Sequence, residues 1–301
     1  MKIGIDLGGS HVAIGVVDNN GVIIEKKERR ILAKEKKDIC SFIEEYIVEN
    51  VNEIIQKHNI SSIGIAIPGT LNKTTVIKSV NLGLENYNIV ERLKEKISLP
   101  IKIKNDAKCA ALAENKFGSL KNYKRSVFLT LGTGLGGAVI INNQLLDTGD
   151  LPGMEIGHMV IHKDGLPCNC GNKGCFEKYA SMKALKNNLR AELGLDETTR
   201  GQELLDMIRN NNSSNKSYLK IEKIVNEFIE NLGVGIGNLI NLFEPEAIVI
   251  GGSFVYFEDV LLDRLKNIFI YKPYIFNKRN EIIIKPAILG NDAGIIGASL
   301  L

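Results

Sequence analysis

The sequence predicts an α/β fold built from two copies of one unit, and two observations carry that prediction. Short β-branched apolar runs alternate with segments of helical periodicity along most of the 301 residues, the pattern of mainly parallel, twisted sheets flanked by helices. The segment SVFLTLGTGLGGAVIINNQLLD also repeats the opening of the chain. With Leu7-Gly8 set on Leu131-Gly132, an offset of 124 residues, strand falls on strand, glycine turn on glycine turn, and Asp18-Asn19 on Asn142-Asn143 at the next turn.

The elements follow in order. Residues 3–7 (IGIDL), 12–17 (VAIGVV) and 22–25 (VIIE) read as strands, the last two joined by the turn DNNG. Between 38 and 58, Ile39, Phe42, Ile43, Tyr46, Ile47, Val51, Ile54 and Ile55 recur at helical spacing. Strand SIGIAI is ended by Pro68-Gly69, and a helix over 88–97, the strand PIKIKND and a helix over 107–117 come next. After the repeated unit, 177–192 reads as helix and the polar stretch 194–219, with NNNSSNKS, as a surface loop. A long helix over 220–243, the strand and glycine pair of EAIVIGGSF followed by a helix, the strand EIIIKPAIL and the helix DAGIIGASLL close the chain. The expected division is 1–118 plus 290–301 as a smaller domain and 119–289 as a larger one.

A chain 44% hydrophobic and 24% charged is of the soluble globular kind. Net charge is +3 on 38 basic and 35 acidic residues with no polybasic block, so neither nucleic acid nor an anionic membrane gains support as a partner. Met1 leads straight into a strand rather than a signal peptide, and no apolar run approaches the ~20 residues of a membrane helix. The expected location is the cytoplasm, where thiols stay reduced and clustered cysteines are metal ligands rather than disulfides. Five cysteines, an odd number, point the same way. Cys40 and Cys109 stand alone and read as core residues.

Three glycine turns are candidate phosphate contacts. Gly132-Thr133-Gly134-Leu135-Gly136-Gly137 satisfies G-x-G-x-x-G, but the dinucleotide-binding mechanism needs a helix to open at the third glycine, and here the β-branched run AVII follows. A glycine turn between antiparallel strands serves phosphate differently, through backbone N–H groups that no Cβ obstructs. Asp6-Leu7-Gly8-Gly9 is one such turn and Gly132–Gly137 a second, while Gly251-Gly252 ends a strand where a flat ring can lie on bare backbone. Each alone is a tight turn; together they favour a nucleotide. Asp6 is placed to hold Mg²⁺ through water.

His158, Cys168, Cys170 and Cys175 offer one imidazole and three thiolates in an H-x9-C-x-C-x4-C pattern, the ligand set of a closed Cys₃His zinc site. Gly165, Gly171 and Gly174 are expected to supply the bends. Glu155 lies three residues before His158 and Glu177 two after Cys175, so a metal there braces two carboxylates and an imidazole, a set that suits a polyhydroxyl ligand such as a sugar. Read without that brace, both glutamates are ordinary surface acids. Asp106, after Asn105 at a strand end, reads in two ways: as the N-cap of the following helix, or as a base accepting a hydroxyl proton in phosphoryl transfer.

DLGG with its strands, IPG, NDA, LGTGLGG, EIGH, CNCGNKGCFEKYAS and PEAIVIGG, in that order, resemble the ROK family of sugar kinases over essentially the entire chain. The resemblance implies a duplicated actin/hexokinase-like (ribonuclease H-like) two-domain fold with an interdomain cleft. It implies an ATP- and Mg²⁺-dependent hexose kinase with structural Zn²⁺, acting at the sugar 6-hydroxyl with Asp106 as general base. Asn105, Glu155, His158 and Glu177, with Gly69 nearby, would bind the sugar. Asp6, Gly8, Gly9, Gly132, Thr133 and Gly134 would face the phosphates and Mg²⁺, and Gly251 and Gly252 the adenosine. His158, Cys168, Cys170 and Cys175 would hold the zinc.

Glucose is the leading substrate, with N-acetylmannosamine the main rival and allose, β-glucoside or fructose behind it. A sugar-sensing non-catalytic regulator is the reading of a different class. Repressors of the family carry a DNA-binding segment before the first strand, and none is expected here. Members are commonly homodimers or tetramers. The chain departs from the family pattern at KNDAKCA, where Lys104 and Lys108 flank the base and Lys108, if it faces the cleft, would lower its acidity constant; at Pro152-Gly153-Met154 before EIGH; and at GGS in place of GGG.

Overall fold

The computed structural model describes residues 1–146, 153–214, 216–271 and 283–301. The chain divides into two compact units, the first Met1–Asn122, Leu145–Met154 and Leu289–Leu301, the second Tyr123–Gln144 and Glu155–Ile288.

The first unit opens with β1 (Lys2–Leu7), β2 (His11–Val17) and β3 (Ile23–Arg30), then α1 (Ile39–Lys57) and β4 (Ile63–Ile67). A small sheet of β5 (Thr70–Leu71), β6 (Val76–Ser79) and β7 (Leu84–Tyr87) precedes α2 (Ile89–Lys94), β8 (Ile101–Asn105) and α3 (Asp106–Phe117). The main sheet runs β3-β2-β1-β4-β8, antiparallel through β1–β3 and parallel from β1 to β8. β1 and β4 are almost wholly buried, which accounts for their unbroken apolar sequences. β3 is longer than its apolar start suggests: KKERR continues it as an edge strand of alternating exposed charges, a composition that discourages pairing with a further strand. α1 is capped by Asp38 and buries Ile39, Ile43, Ile47, Val51 and Ile54, a stripe at i, i+4 that meets the sheet.

The C-terminal helix Ala293–Ser299 lies against β1, β4 and α3 so closely that a Cβ on Gly4, Gly64 or Gly297 would strike a backbone carbonyl of the facing element. Glu114, on α3, is fully buried; its carboxylate accepts from Ser119 N at 2.7 Å and from Leu289 N at 2.9 Å. Glu114→Gln, which offers one amide oxygen for two donors, is expected to lower stability by roughly 2 kcal/mol. A thermal melt unchanged from that of the parent would refute this.

The second unit repeats the plan. β9 (Arg125–Leu131), β10 (Leu135–Ile141) and β11 (Gln144–Leu145) precede α4 (Glu177–Ala180), α5 (Met182–Leu193), α6 (Gly201–Arg209) and α7 (Tyr218–Phe243). β12 (Ala247–Gly252), α8 (Glu258–Tyr271) and β13 (Ile283–Pro286) follow. Sheet order is β11-β10-β9-β12-β13, with β9–β10 antiparallel and β9, β12 and β13 parallel, which matches β3-β2-β1-β4-β8 strand for strand. The duplication read from the 124-residue offset is therefore a duplication of topology.

Two expectations are corrected. The stretch 194–219 is not all loop: α6 lies inside it, buried through Leu204, Leu205 and Ile208 on an otherwise polar helix. The helix expected over 177–192 is broken at Ser181, whose extended backbone and side chain cap α5 through Ala184 N. Glu281 and Ile282 of the last expected strand, and Pro152, lie outside the described residues. Cys109 is buried as expected, whereas Cys40 is half-buried.

Candidate functional site

In the first unit, β1 ends at the turn that carries Asp6, Gly8 and Gly9, where Gly8 N bonds to His11 O at 2.9 Å. The His11 ring covers the Cα of Gly8, and Asn81 lies against Gly9, two neighbours that the sequence reading did not single out. β4 leads to Gly69, held at φ +115°, where a Cβ would meet the backbone of Lys78 and Ser79.

At the end of β8 the N-cap of α3 is Asn105. Its Oδ1 accepts from Ala107 N and Lys108 N, and its Nδ2 donates to Gly69 O at 3.2 Å. Asp106 is thus not the cap but the first residue of the helix, half-buried, with Oδ1 accepting from Ala107 N at 2.8 Å.

Burial pushes the Asp106 carboxyl above the usual carboxylate range, an effect partly offset by the backbone N–H groups of Ala107 and Asp106. The expectation that Lys108 lowers it is overturned: residues i and i+2 of a helix do not face each other, and the Lys108 ammonium donates instead to Gly153 O at 3.2 Å. Asp6 is pushed up to about 7, first by burial, then by the Asp106 and Glu28 carboxylates, with Lys26 opposing. The Asp106 carboxylate thus raises the acidity constant of Asp6, and a carboxylate so placed is one at which a cation is favoured.

In the second unit, the hairpin turn Gly132–Gly134 is closed by Gly132 N to Gly134 O at 2.9 Å, with Thr133 exposed at its tip. Glu177 is not a loose surface acid. It begins α4, is half-buried, and its Oε2 accepts from Leu135 N at 3.0 Å, packed where a Cβ on Gly134 would lie. At the end of β12, Gly251 is buried on Phe128 and Ala287, while Gly252 is exposed at φ +69°, where a Cβ would come within 2.6 Å of Leu131 O. Of the pair, Gly252 alone presents bare backbone to the surface, and a 3₁₀ turn over Ser253–Phe257, rather than an α-helix, follows it.

The four expected metal ligands converge: one ligand atom from each of His158, Cys168, Cys170 and Cys175 lies within 4.8 Å of all the others. His158 Nδ1 is 3.6 Å from Cys168 Sγ, and Cys170 Sγ is 3.5 Å from Cys175 Sγ, so it is Nδ1 that faces the thiols. Gly171 and Gly174 make the bends at φ +93° and +79°. Gly165 serves instead for close approach, to the Tyr179 hydroxyl. The donor set, neutral imidazole with three thiolates, fits a tetrahedral zinc ion. Glu155 precedes the 3₁₀ turn Ile156–His158; its carbonyl accepts from His158 N at 3.0 Å and its side chain is exposed.

A sequence profile of the ROK family matches residues 2–301. The chain belongs to the ROK family. Among ROK and related proteins, it is 32% identical over 316 aligned residues to a glucokinase of Streptomyces coelicolor, covering 99% of this chain and 96% of that one. It is 28% identical over 300 residues to a xylose repressor of Bacillus spizizenii, covering 99% and 76%. The crystal structure of a ROK family glucokinase from Streptomyces griseus in complex with glucose and AMPPNP superposes with a TM-score of 0.79 at 28% identity, covering 99% and 97% of the two chains. The α/β two-domain ROK fold is therefore established for this chain. Among the described residues no helix is long and apolar enough to cross a membrane.

Proposed function

We propose that the protein is an ATP- and Mg²⁺-dependent hexose kinase that transfers the γ-phosphoryl group to the 6-hydroxyl of a sugar, with glucose as the foremost substrate. The observation that carries this reading is the division of labour at the end of β8: Asn105 caps α3, so the Asp106 carboxylate has no structural duty as cap and sits with its basicity raised by burial. In this reading Asp106 accepts the proton of the sugar hydroxyl as that oxygen attacks the γ-phosphorus and ADP departs. Asn105, Glu155, His158 and Glu177, with Gly69, hold the other hydroxyls, and His158 Nε2 remains available because Nδ1 faces the thiols. Backbone N–H groups of Gly8, Gly9, Gly132, Thr133 and Gly134 face the phosphates, and Gly252, beside Gly251, the adenosine.

His158, Cys168, Cys170 and Cys175 would hold a zinc ion, which would supply rigidity, and Asp6 would help to hold Mg²⁺, which would supply charge neutralisation at the phosphates. The similarity to glucokinases over 99% of the chain supports glucose. The protein is proposed to act in the cytoplasm as a homo-oligomer.

The similarity to xylose repressors favours a second reading, a sugar-sensing regulator without turnover. An ADP-coupled assay over glucose, N-acetylmannosamine, N-acetylglucosamine, allose, fructose and mannose, with calorimetric binding of each sugar, separates the two. Sugar-dependent ADP release, greatest with glucose, is expected. Binding without turnover on every sugar would replace the kinase reading by the regulator.

A further inference from the structure

We propose that Lys186 is a nucleotide-binding residue, whose ammonium meets the phosphates of ATP from the α5 side of the Gly132–Gly134 turn. The inference rests on the nucleotide half of the kinase reading and deepens it, and every residue it uses belongs to the second unit.

Three elements of that unit meet around Lys186. The first turn of α5 is fastened to the glycine turn, where Lys183 N donates to Gly132 O at 3.1 Å. Gly252 lies at the same end of the sheet: a Cβ on it would come within 2.6 Å of Leu131 O, the carbonyl to which Ser253 Oγ donates at 3.4 Å. The 3₁₀ turn that starts at Ser253 ends at the buried Phe257, and the Lys186 ammonium stands 5.3 Å from the centre of the Phe257 ring. Lys186 is three residues after Lys183, so both lie on one face of α5. It therefore stands one helical turn along from the contact with Gly132, and against the segment that follows Gly252.

This ammonium lacks a counter-charge. Among the described residues Lys186 makes neither an ion pair nor a hydrogen bond. It stands against the Phe257 ring and against Gly201, where a Cβ would come within 3.2 Å of the ammonium. The nearby Arg190 spends its N–H groups on uncharged acceptors, Thr199 O at 2.7 and 3.2 Å and Asn187 Oδ1 at 3.1 Å. By contrast, Arg200, Arg209 and Arg264 of the same unit are each paired with a carboxylate. Lys186 is half-buried, and burial, then the Arg190 charge, hold its acidity constant below the usual lysine value. The face of Phe257 offsets part of that cost. An anion from outside the chain offsets more, and the anion that belongs beside both glycine contacts is the phosphate chain of ATP.

The test compares the full-length wild type with Lys186→Met, Lys186→Arg and Lys183→Met. It reads calorimetric Kd for AMPPNP, for adenosine by competition and for glucose, ATP KM with glucose as co-substrate, and thermal melts. Met keeps the apolar stem on Phe257 and removes the charge. Lys186→Met is expected to raise AMPPNP Kd and ATP KM about tenfold, by a ratio that shrinks as salt rises, with adenosine and glucose Kd within about twofold and the ligand-free melting temperature no lower. Lys186→Arg retains most of the affinity. Lys183→Met, which removes an exposed charge, costs about threefold at most.

An unchanged AMPPNP Kd in Lys186→Met overturns the inference. So does an equal loss of adenosine and AMPPNP affinity, which would put the ammonium on the nucleoside, or an equal loss in Lys183→Met, which would make the effect one of net charge. Weaker glucose binding with a lower melting temperature, the mark of a structural lysine, overturns it too. A wild type that binds AMPPNP but turns over no sugar overturns the kinase reading alone, because the Kd comparison needs no turnover. A wild type that binds no nucleotide overturns both.

Discussion

Asp106→Asn is expected to lower kcat by roughly three orders of magnitude while glucose affinity stays within a few fold. Asn is nearly isosteric, and its amide oxygen can keep the 2.8 Å bond from Ala107 N. Because Asn105 caps α3, the helix does not depend on residue 106 for its start. What is lost is the proton acceptor.

The pH dependence makes the assignment specific. A protonated Asp106 cannot take the hydroxyl proton, so activity falls as pH drops through its acidity constant, which burial holds above the ordinary value of 3.8. In the Asn variant the residual rate should lose that limb. Stability moves the other way. For a carboxyl whose folded constant is raised, folding carries no penalty below the unfolded constant and the full penalty above the folded one. The Asn variant should therefore melt no lower than the parent at pH 8, with any advantage fading as pH falls through the raised constant. Turnover equal to the parent's at pH 8 would remove Asp106 from the chemistry.

How much of this was legible in the sequence depended on whether the controlling interaction was local. The strands, their glycine turns and the duplication were legible because burial on both faces leaves unbroken apolar runs and because the repeat sets strand on strand and turn on turn, although the second turn is one residue shorter: Leu7 pairs with Val12, Leu131 with Leu135. The metal ligands were legible because all four lie within eighteen residues, where spacing alone constrains geometry.

The small sheet of β5–β7 was not, since strands of two to four residues carry too few side chains to show a period. α6 was missed because its three buried residues stand in a polar background that reads as loop. The roles of Asn105 as cap, of Glu177 as acceptor for Leu135 N, and of Lys108 as partner of Gly153 were hidden for another reason. Each depends on which way a side chain points at the end of an element, and residue type leaves that open. Asn and Asp are about equally good caps, so Asn105-Asp106 alone does not say which is used.

Removing the metal should cost more in sugar binding than any other change predicted here, Asp106→Asn included. One zinc per chain is expected by elemental analysis of the purified protein, and its removal by a chelator, or Cys175→Ala, should weaken glucose binding roughly 100-fold while ATP affinity changes by no more than a few fold. The asymmetry follows from what the segment has without the ion. Most side chains from His162 to Lys173 are exposed, so little apolar burial restrains them. The thiols of Cys170 and Cys175 stand 3.5 Å apart, and that of Cys168 stands 3.6 Å from His158 Nδ1, contacts that need a cation to hold three thiolates together.

Phe176, by contrast, is fully buried against Gly235 of α7, and the β9–β10 hairpin turn is closed by its own Gly132–Gly134 bond, so the core of the second unit and its glycine turn survive. His158 loses its orientation first, and Glu155, three residues before it on the same turn, loses it next. Chelation that weakens glucose and ATP equally, with a lower melting temperature, would mean that the ion holds the whole unit rather than the sugar-binding side chains. Unchanged glucose affinity in a zinc-free protein would separate the cluster from the sugar altogether.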